Sequence, residues 1–121
     1  MIMVIIAAVA GGFGALARFG VDSFLRDRPV WTGWTLVFIN VTGSALLGLL
    51  TGLVLAEAAP SSAQLVIGTG FLGGYTTFSA AAVEVVRRLE GRRWFAAVIA
   101  GLGMPAAAAV AAALGLLIGL G

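Results

Sequence analysis

Charge along this chain comes in clusters, separated by long apolar stretches. Met1 to Ala17, Pro29 to Ala56, Ala58 to Val83 and Trp94 to Gly121 hold no charged side chain. A helix needs about 20 apolar residues to cross a hydrocarbon core of roughly 30 Å. The pattern therefore predicts an all-α integral membrane protein with four transmembrane helices, over about 2–21, 34–56, 64–86 and 95–119, forming a single domain across residues 1–121. The first stretch is long enough if Arg18 snorkels from its end. Trp31, Trp34 and Trp94 fall where an aromatic interface belt would lie. No basic region precedes the first stretch, so it does not read as a cleaved signal peptide. The loops are too short to hold an extramembrane domain.

Composition points the same way. Hydrophobic residues make up 61% of the chain and charged residues 10%, with a mean hydropathy of +1.13. A soluble domain carries about a quarter charged residues, and disorder requires the opposite balance of hydrophobicity and charge. Cysteine and histidine are absent, which removes disulfides, thiolate sites and imidazole ligands. No span holds a nucleophile–base pair or a metal cluster, so enzymatic chemistry is not expected. The net charge of +2 rests on seven Arg, and their placement suits membrane topology better than nucleic-acid binding. Arg18, Arg26 and Arg28 follow the first span; Arg87, Arg88, Arg92 and Arg93 follow the third. The N-terminus, the 57–63 loop and the C-terminus carry no Arg or Lys. The positive-inside rule then puts the Arg loops in the cytoplasm and both termini outside the plasma membrane. Arg18 reads as an anchor of topology and interface.

Small residues recur every fourth position at Ala7, Gly11 and Ala15, at Gly48 and Gly52, at Gly70 and Gly74, and at Ala111, Gly115 and Gly119. Such stripes let helix backbones approach closely. The segment from Gly68 to Ser79 is denser, with Gly68, Gly70, Gly73, Gly74, Thr69, Thr76, Thr77 and Ser79. Each Gly costs a helix about 1 kcal/mol relative to Ala, and hydroxyls compete for backbone bonds. This predicts a third helix broken mid-span, as transporters and channels use to bind ions; a Gly-rich helix packed tightly without a break is the alternative. Asn40 is the one amide in the middle of a span and shares a helical face with Ser44 and Thr51. No Asp, Glu or Lys lies deep in a span, which argues against proton-coupled transport. Any ion path must consist of amides, hydroxyls and ring edges.

Three of these motifs carry a resemblance. Gly11-Gly-Phe-Gly-Ala-Leu-Ala-Arg18, Asn40-Val-Thr-Gly-Ser44 with Gly48, and Gly70-Phe-Leu-Gly-Gly-Tyr-Thr-Thr-Phe-Ser79 resemble, in order, the first-, second- and third-helix patterns of the Fluc (CrcB-type) fluoride channel family. The resemblance implies a four-helix subunit that pairs as an antiparallel, inverted dimer and carries fluoride passively out of the cell. It further implies a structural, non-transported Na+ held at the dimer centre by backbone oxygens of Gly73 and Thr76. Asn40 and Phe78 would line the anion pathway, with Thr77, Ser79 and Ser44 beside them. Fluoride holds its water tightly, so a dry path must replace that shell with donors, and the electropositive edge of a Phe ring is one such group.

The chain also departs from the family pattern. Ala81 stands where a second Phe is usual, and Trp94 to Gly121 contains Pro105 but no Tyr, Ser, Thr, Asn or Gln. A symmetric pair would lack half of its aromatic box and the hydroxyl track of the fourth helix. The Arg count, seven against none, also commits nearly every copy to one orientation. Both features predict an inverted partner that is a paralogous chain of opposite charge bias, with one of two symmetry-related pores degenerate. Two other readings are a non-conducting assembly subunit and a small multidrug-type exporter; the latter needs a carboxylate in the first span, and Met1–Ala17 has none.

Overall fold

The computed structural model describes residues 1–29, 35–76 and 85–121, and all regular structure among them is helical. Three helices are long and apolar enough to cross a membrane: α1 (Ile2–Arg26), α2 (Thr35–Leu55) and α6 (Trp94–Leu120). Between α2 and α6 lies a third helical run. It starts with α3 (Ser61–Ala63), passes into a π-helical stretch (Gln64–Leu72) and ends with α4 (Gly73–Tyr75). Residues 85–90 are again helical (α5). Trp31, Trp34, Thr77, Phe78, Ser79 and Ala81 lie outside the described residues.

The helix ends follow local chemistry. α1 runs to Arg26, beyond the expected limit near residue 21, so Arg18 and Asp22 sit within the helix. It stops before Pro29, which disfavours helical geometry at Arg28. After α2, Glu57 adopts a positive φ of 59°, and the N–H groups of Ala58 and Ala59 both donate to the Leu53 carbonyl, at 2.8 and 3.2 Å. This satisfies a carbonyl that the helix end would otherwise leave bare. Arg92, with φ 59°, closes α5 in the same way, and the Arg93 N–H donates to the Arg88 carbonyl at 2.8 Å.

Glycine pairs decide how the helices meet. A β-carbon on Gly48 would strike the Ala112 carbonyl, one on Gly115 the Ala45 carbonyl, and one on Gly119 the Leu49 carbonyl, so α2 and α6 lie backbone against backbone. Asn40 meets Met104 and Gly48 meets Ala112, so the two helices run parallel. On the other side of the bundle, Gly70 faces Ala7, Gly74 faces Gly11 and Gly14 faces Phe71, so α1 runs parallel to the third run. α2 crosses that run in the opposite sense, with Thr42 on Tyr75 and Thr51 on Gln64. Close approach of small residues provides packing that lipid cannot offer, since lipid tails are as apolar as Leu.

These directions bring the Arg positions of the described chain to one end of the bundle, with Met1, the 56–60 turn and Gly121 at the other. At the Arg end, Arg88 is buried and its Nη1 donates to the Ala96 carbonyl at 3.5 Å. The Arg28 guanidinium stacks 4.5 Å from the centre of the Phe24 ring. Large apolar side chains such as Phe13, Phe19, Phe95, Leu102 and Ile118 point outward, which suits a surface solvated by lipid.

Candidate functional site

The polar groups of the spans converge where α2 crosses the third run. The π-helical stretch is where glycine is dense, and its i→i+5 bonds widen the ladder. The Gly73 N–H is shared between the carbonyls of Gly68 and Gly70. π-type bulges mark weak points of a helix and recur at functional sites. At Thr76 the helical geometry ends. Its N–H and its hydroxyl both donate to the Leu72 carbonyl, at 2.9 Å each, but its backbone is extended at φ −83° and ψ 157°. That ψ turns the Thr76 carbonyl out of the direction a helix would give it.

The end of the run is clamped to α2. Gly43 lies so close that a β-carbon there would hit the Thr76 methyl, with the Tyr75 ring at 3.1 Å. The Tyr75 hydroxyl is 3.0 Å from Thr42 Oγ1. Thr42 donates its one hydrogen to the Phe38 carbonyl at 2.7 Å, so Tyr75 is the donor in that pair. Asn40 lies one turn earlier on α2, and its Nδ2 donates to Met104 Sδ at 3.2 Å. A thioether is a weak acceptor, so it orients the amide while competing little with a better ligand. Met104 is buried, and the next residue, Pro105, has no N–H to continue the α6 ladder.

A cleft of about 310 Å³ opens between α2 and the third run. Gly43, Ser44 and Leu47 form one wall; Gln64, Gly68, Thr69, Leu72, Gly73 and Thr76 form the other. Ser44 from the second motif and Gly73 and Thr76 from the third thus line a single cavity. Asn40 sits beside it against α6, and Arg18 is half-buried in α1, two turns before that helix ends. Thr77, Phe78 and Ser79 fall outside the described residues. Sequence reasoning missed Met104, Tyr75 and Gln64. Gln64 left one signal: it is the only Gln in the chain, close to the start of an apolar span. Among the described residues no three His, Cys, Asp or Glu cluster, so the oxygens available here belong to the main chain, hydroxyls and amides.

Comparison with known proteins gives these features a context. The family described as "CrcB-like protein, Camphor Resistance (CrcB)" matches residues 5–116. A protein of Leifsonia xyli subsp. xyli named Fluoride-specific ion channel FluC 1 is 47% identical over 119 residues, covering 98% of this chain and 87% of its own length. Fluoride-specific ion channel FluC 2 of Cutibacterium acnes is 46% identical over 115 residues, covering 92% of each. Fluoride-specific ion channel FluC 1 of Symbiobacterium thermophilum is 41% identical over 126 residues, covering 97% of each. The resemblance of the three helix motifs therefore extends along nearly the entire chain, and the protein belongs to the CrcB-like family, that of the fluoride-specific ion channels.

Proposed function

We propose that this chain is one subunit of a channel through which fluoride leaves the cell passively, and that it works as half of an inverted heterodimer. The observation that carries the channel reading is 46% and 47% identity, over 92% and 98% of this chain, to relatives named fluoride-specific ion channels. The chemistry of the spans fits that cargo. A small anion must exchange its water for donors, and Asn40, Ser44, Thr77 and Ser79 supply amide and hydroxyl hydrogens, with Phe78 adding a positive ring edge. Asn40 gives an N–H to a sulfur acceptor, a bond an anion can replace at little cost. The sequence from 35 to 86, which holds all of these groups, contains no Lys or Arg that would trap the ion.

The inverted partner is inferred from charge. Seven Arg at one end and none at the other favour insertion with the Arg loops in the cytoplasm and the termini outside. The third run, read with α5 as one broken span, makes four crossings. Its extended backbone at Thr76 and the face at Gly73, where among the described residues a β-carbon meets nothing nearer than the Gly68 carbonyl at 3.9 Å, support a seam between two subunits. Gly73 and Thr76 are the residues that would hold Na+ there, through main-chain oxygens suited to a hard cation. When bound, the ion would supply fixed positive charge that ties two broken helices together. The partner is a paralogue of opposite charge bias; relatives carrying the numbers 1 and 2 support such pairs. The partner also supplies the aromatic and hydroxyl groups that Ala81 and α6 lack.

Co-expression tests this. This chain alone should fail to restore fluoride resistance to a sensitive cell, and adding the paralogue should succeed, while reporters fused at Gly121 read outside only. Full rescue by this chain alone, with Gly121 on both sides of the membrane, would sink the heterodimer. Failure of the pair to move fluoride in liposomes would sink the channel reading.

A further inference from the structure

The cleft between α2 and the third run holds more donors than the helix motifs account for. In a membrane helix, Ser and Thr hydroxyls ordinarily donate to the carbonyl one turn back. Thr42, Thr51 and Thr76 do so, to Phe38, Leu47 and Leu72 at 2.7, 2.9 and 2.9 Å. Ser44 and Thr69 do not: among the described residues neither hydroxyl has a hydrogen-bond partner, and both line the cleft. Gln64 completes the set. Its Nε2 donates one hydrogen to Thr51 Oγ1 at 3.0 Å, which fixes the amide at the cleft wall, and the second hydrogen has no partner among the described residues. Among the described residues no charged group lines the cavity, and the remaining walls are Gly and Leu with the Thr76 side chain already committed.

Position matters as much as chemistry. Gln64 begins the π-helical stretch beside the 56–60 turn, and Thr76 ends the run at the seam. Twelve residues separate them, at most roughly 18 Å of rise, on the scale of half of a hydrocarbon core of about 30 Å. We infer that this cleft is one half of the fluoride path, running from the 56–60 turn to the bundle centre, and that Gln64 and Thr69 are donor residues of that half alongside Ser44. The inference rests on the fluoride reading above. It gives this chain a donor track of its own on α2 and the third run, although α6 carries none. Gln64, held by Thr51, is the first amide an anion meets from that end. Because the amide is neutral, it replaces water without binding the ion tightly.

The assembly that conducts, purified after co-expression, is reconstituted in liposomes loaded with potassium fluoride. Initial efflux is read with a fluoride electrode, and dimer content with size-exclusion chromatography. Gln64→Met keeps the volume but removes both donors, and Thr69→Val keeps the shape but removes the hydroxyl. Each should lower efflux about tenfold, the scale of one lost bond to an ion. Gln64→Glu, which puts negative charge on the path, should lower it further, and Thr69→Ser should conduct like the parent. Dimer content should be unchanged throughout. A conducting parent whose Gln64 and Thr69 variants all conduct equally overturns this inference alone. Efflux that falls only in proportion to dimer content makes the cleft a packing surface and overturns it too. A parent that passes no fluoride overturns the channel reading, and this inference with it.

Discussion

Gly73 and Gly74 are neighbours in the third run, yet the structure predicts opposite consequences for the same substitution. Alanine gains about 1 kcal/mol over glycine at a helical position, and Gly73 has helical geometry, with φ −62° and ψ −38°. Among the described residues a β-carbon at Gly73 has no neighbour closer than 3.9 Å, so Gly73→Ala should leave the single chain intact or stabilise it by up to about 1 kcal/mol. At Gly74 a β-carbon would collide with the Gly11 carbonyl and lie 2.8 Å from its carbon, where ordinary contact begins at 3.4 Å. The obstacle is backbone on α1, which cannot rotate aside, so the two helices must part. Overpacking of this kind costs about 1–3 kcal/mol. Taking the upper end, and subtracting the propensity gain, Gly74→Ala should destabilise the subunit by about 2 kcal/mol. The assay is unfolding of the purified protein in detergent, paired with size-exclusion measurement of dimer content. Gly74→Ala should unfold more easily. Gly73→Ala should fold normally but lose dimer and fluoride flux, because at the proposed subunit seam its methyl would meet the partner's backbone. Equal stability of the two variants would refute the packing assignment. Normal dimerisation and flux by Gly73→Ala would refute the seam.

Three further outcomes are expected. Tyr75→Phe keeps the buried ring but removes the donor to Thr42, so the subunit should lose about 1 kcal/mol in the same unfolding assay. Asn40→Asp sets a carboxylate on the proposed path, beside a thioether that cannot donate to it; liposome efflux of fluoride should vanish while the protein still folds. Phe78→Ile keeps apolar bulk without the positive ring edge, and efflux should also be lost while dimer content holds.

Charge spacing alone delimited the long apolar helices, because the cost of placing charge in hydrocarbon is large and acts residue by residue. α2 and α6 fall within a residue or two of the stretches read from the sequence, whereas α1 ran on to Arg26, the third run begins at Ser61, and helix continues past residue 86 to 90. The one-sided Arg pattern was equally legible, since it depends on chain order and not on packing. The small-residue stripes were visible too, but their partners were not. In lipid, every face of a helix is apolar, so no amphipathic stripe announces which side meets protein. Only the tertiary structure decided that Gly48 backs onto Ala112, that Gly74 meets Gly11, and that Gly73 next to it has no such close neighbour among the described residues. The site behaves in the same way. Asn40, Ser44, Gly73 and Thr76 stood out because polar or glycine residues are conspicuous in apolar runs. Met104 could not stand out, because a methionine among apolar residues acquires a role only when α6 brings it against an amide 64 positions away. Gln64 and Thr69 became candidates only once the crossing of α2 over the third run showed which hydroxyls were already committed to the backbone and which were not.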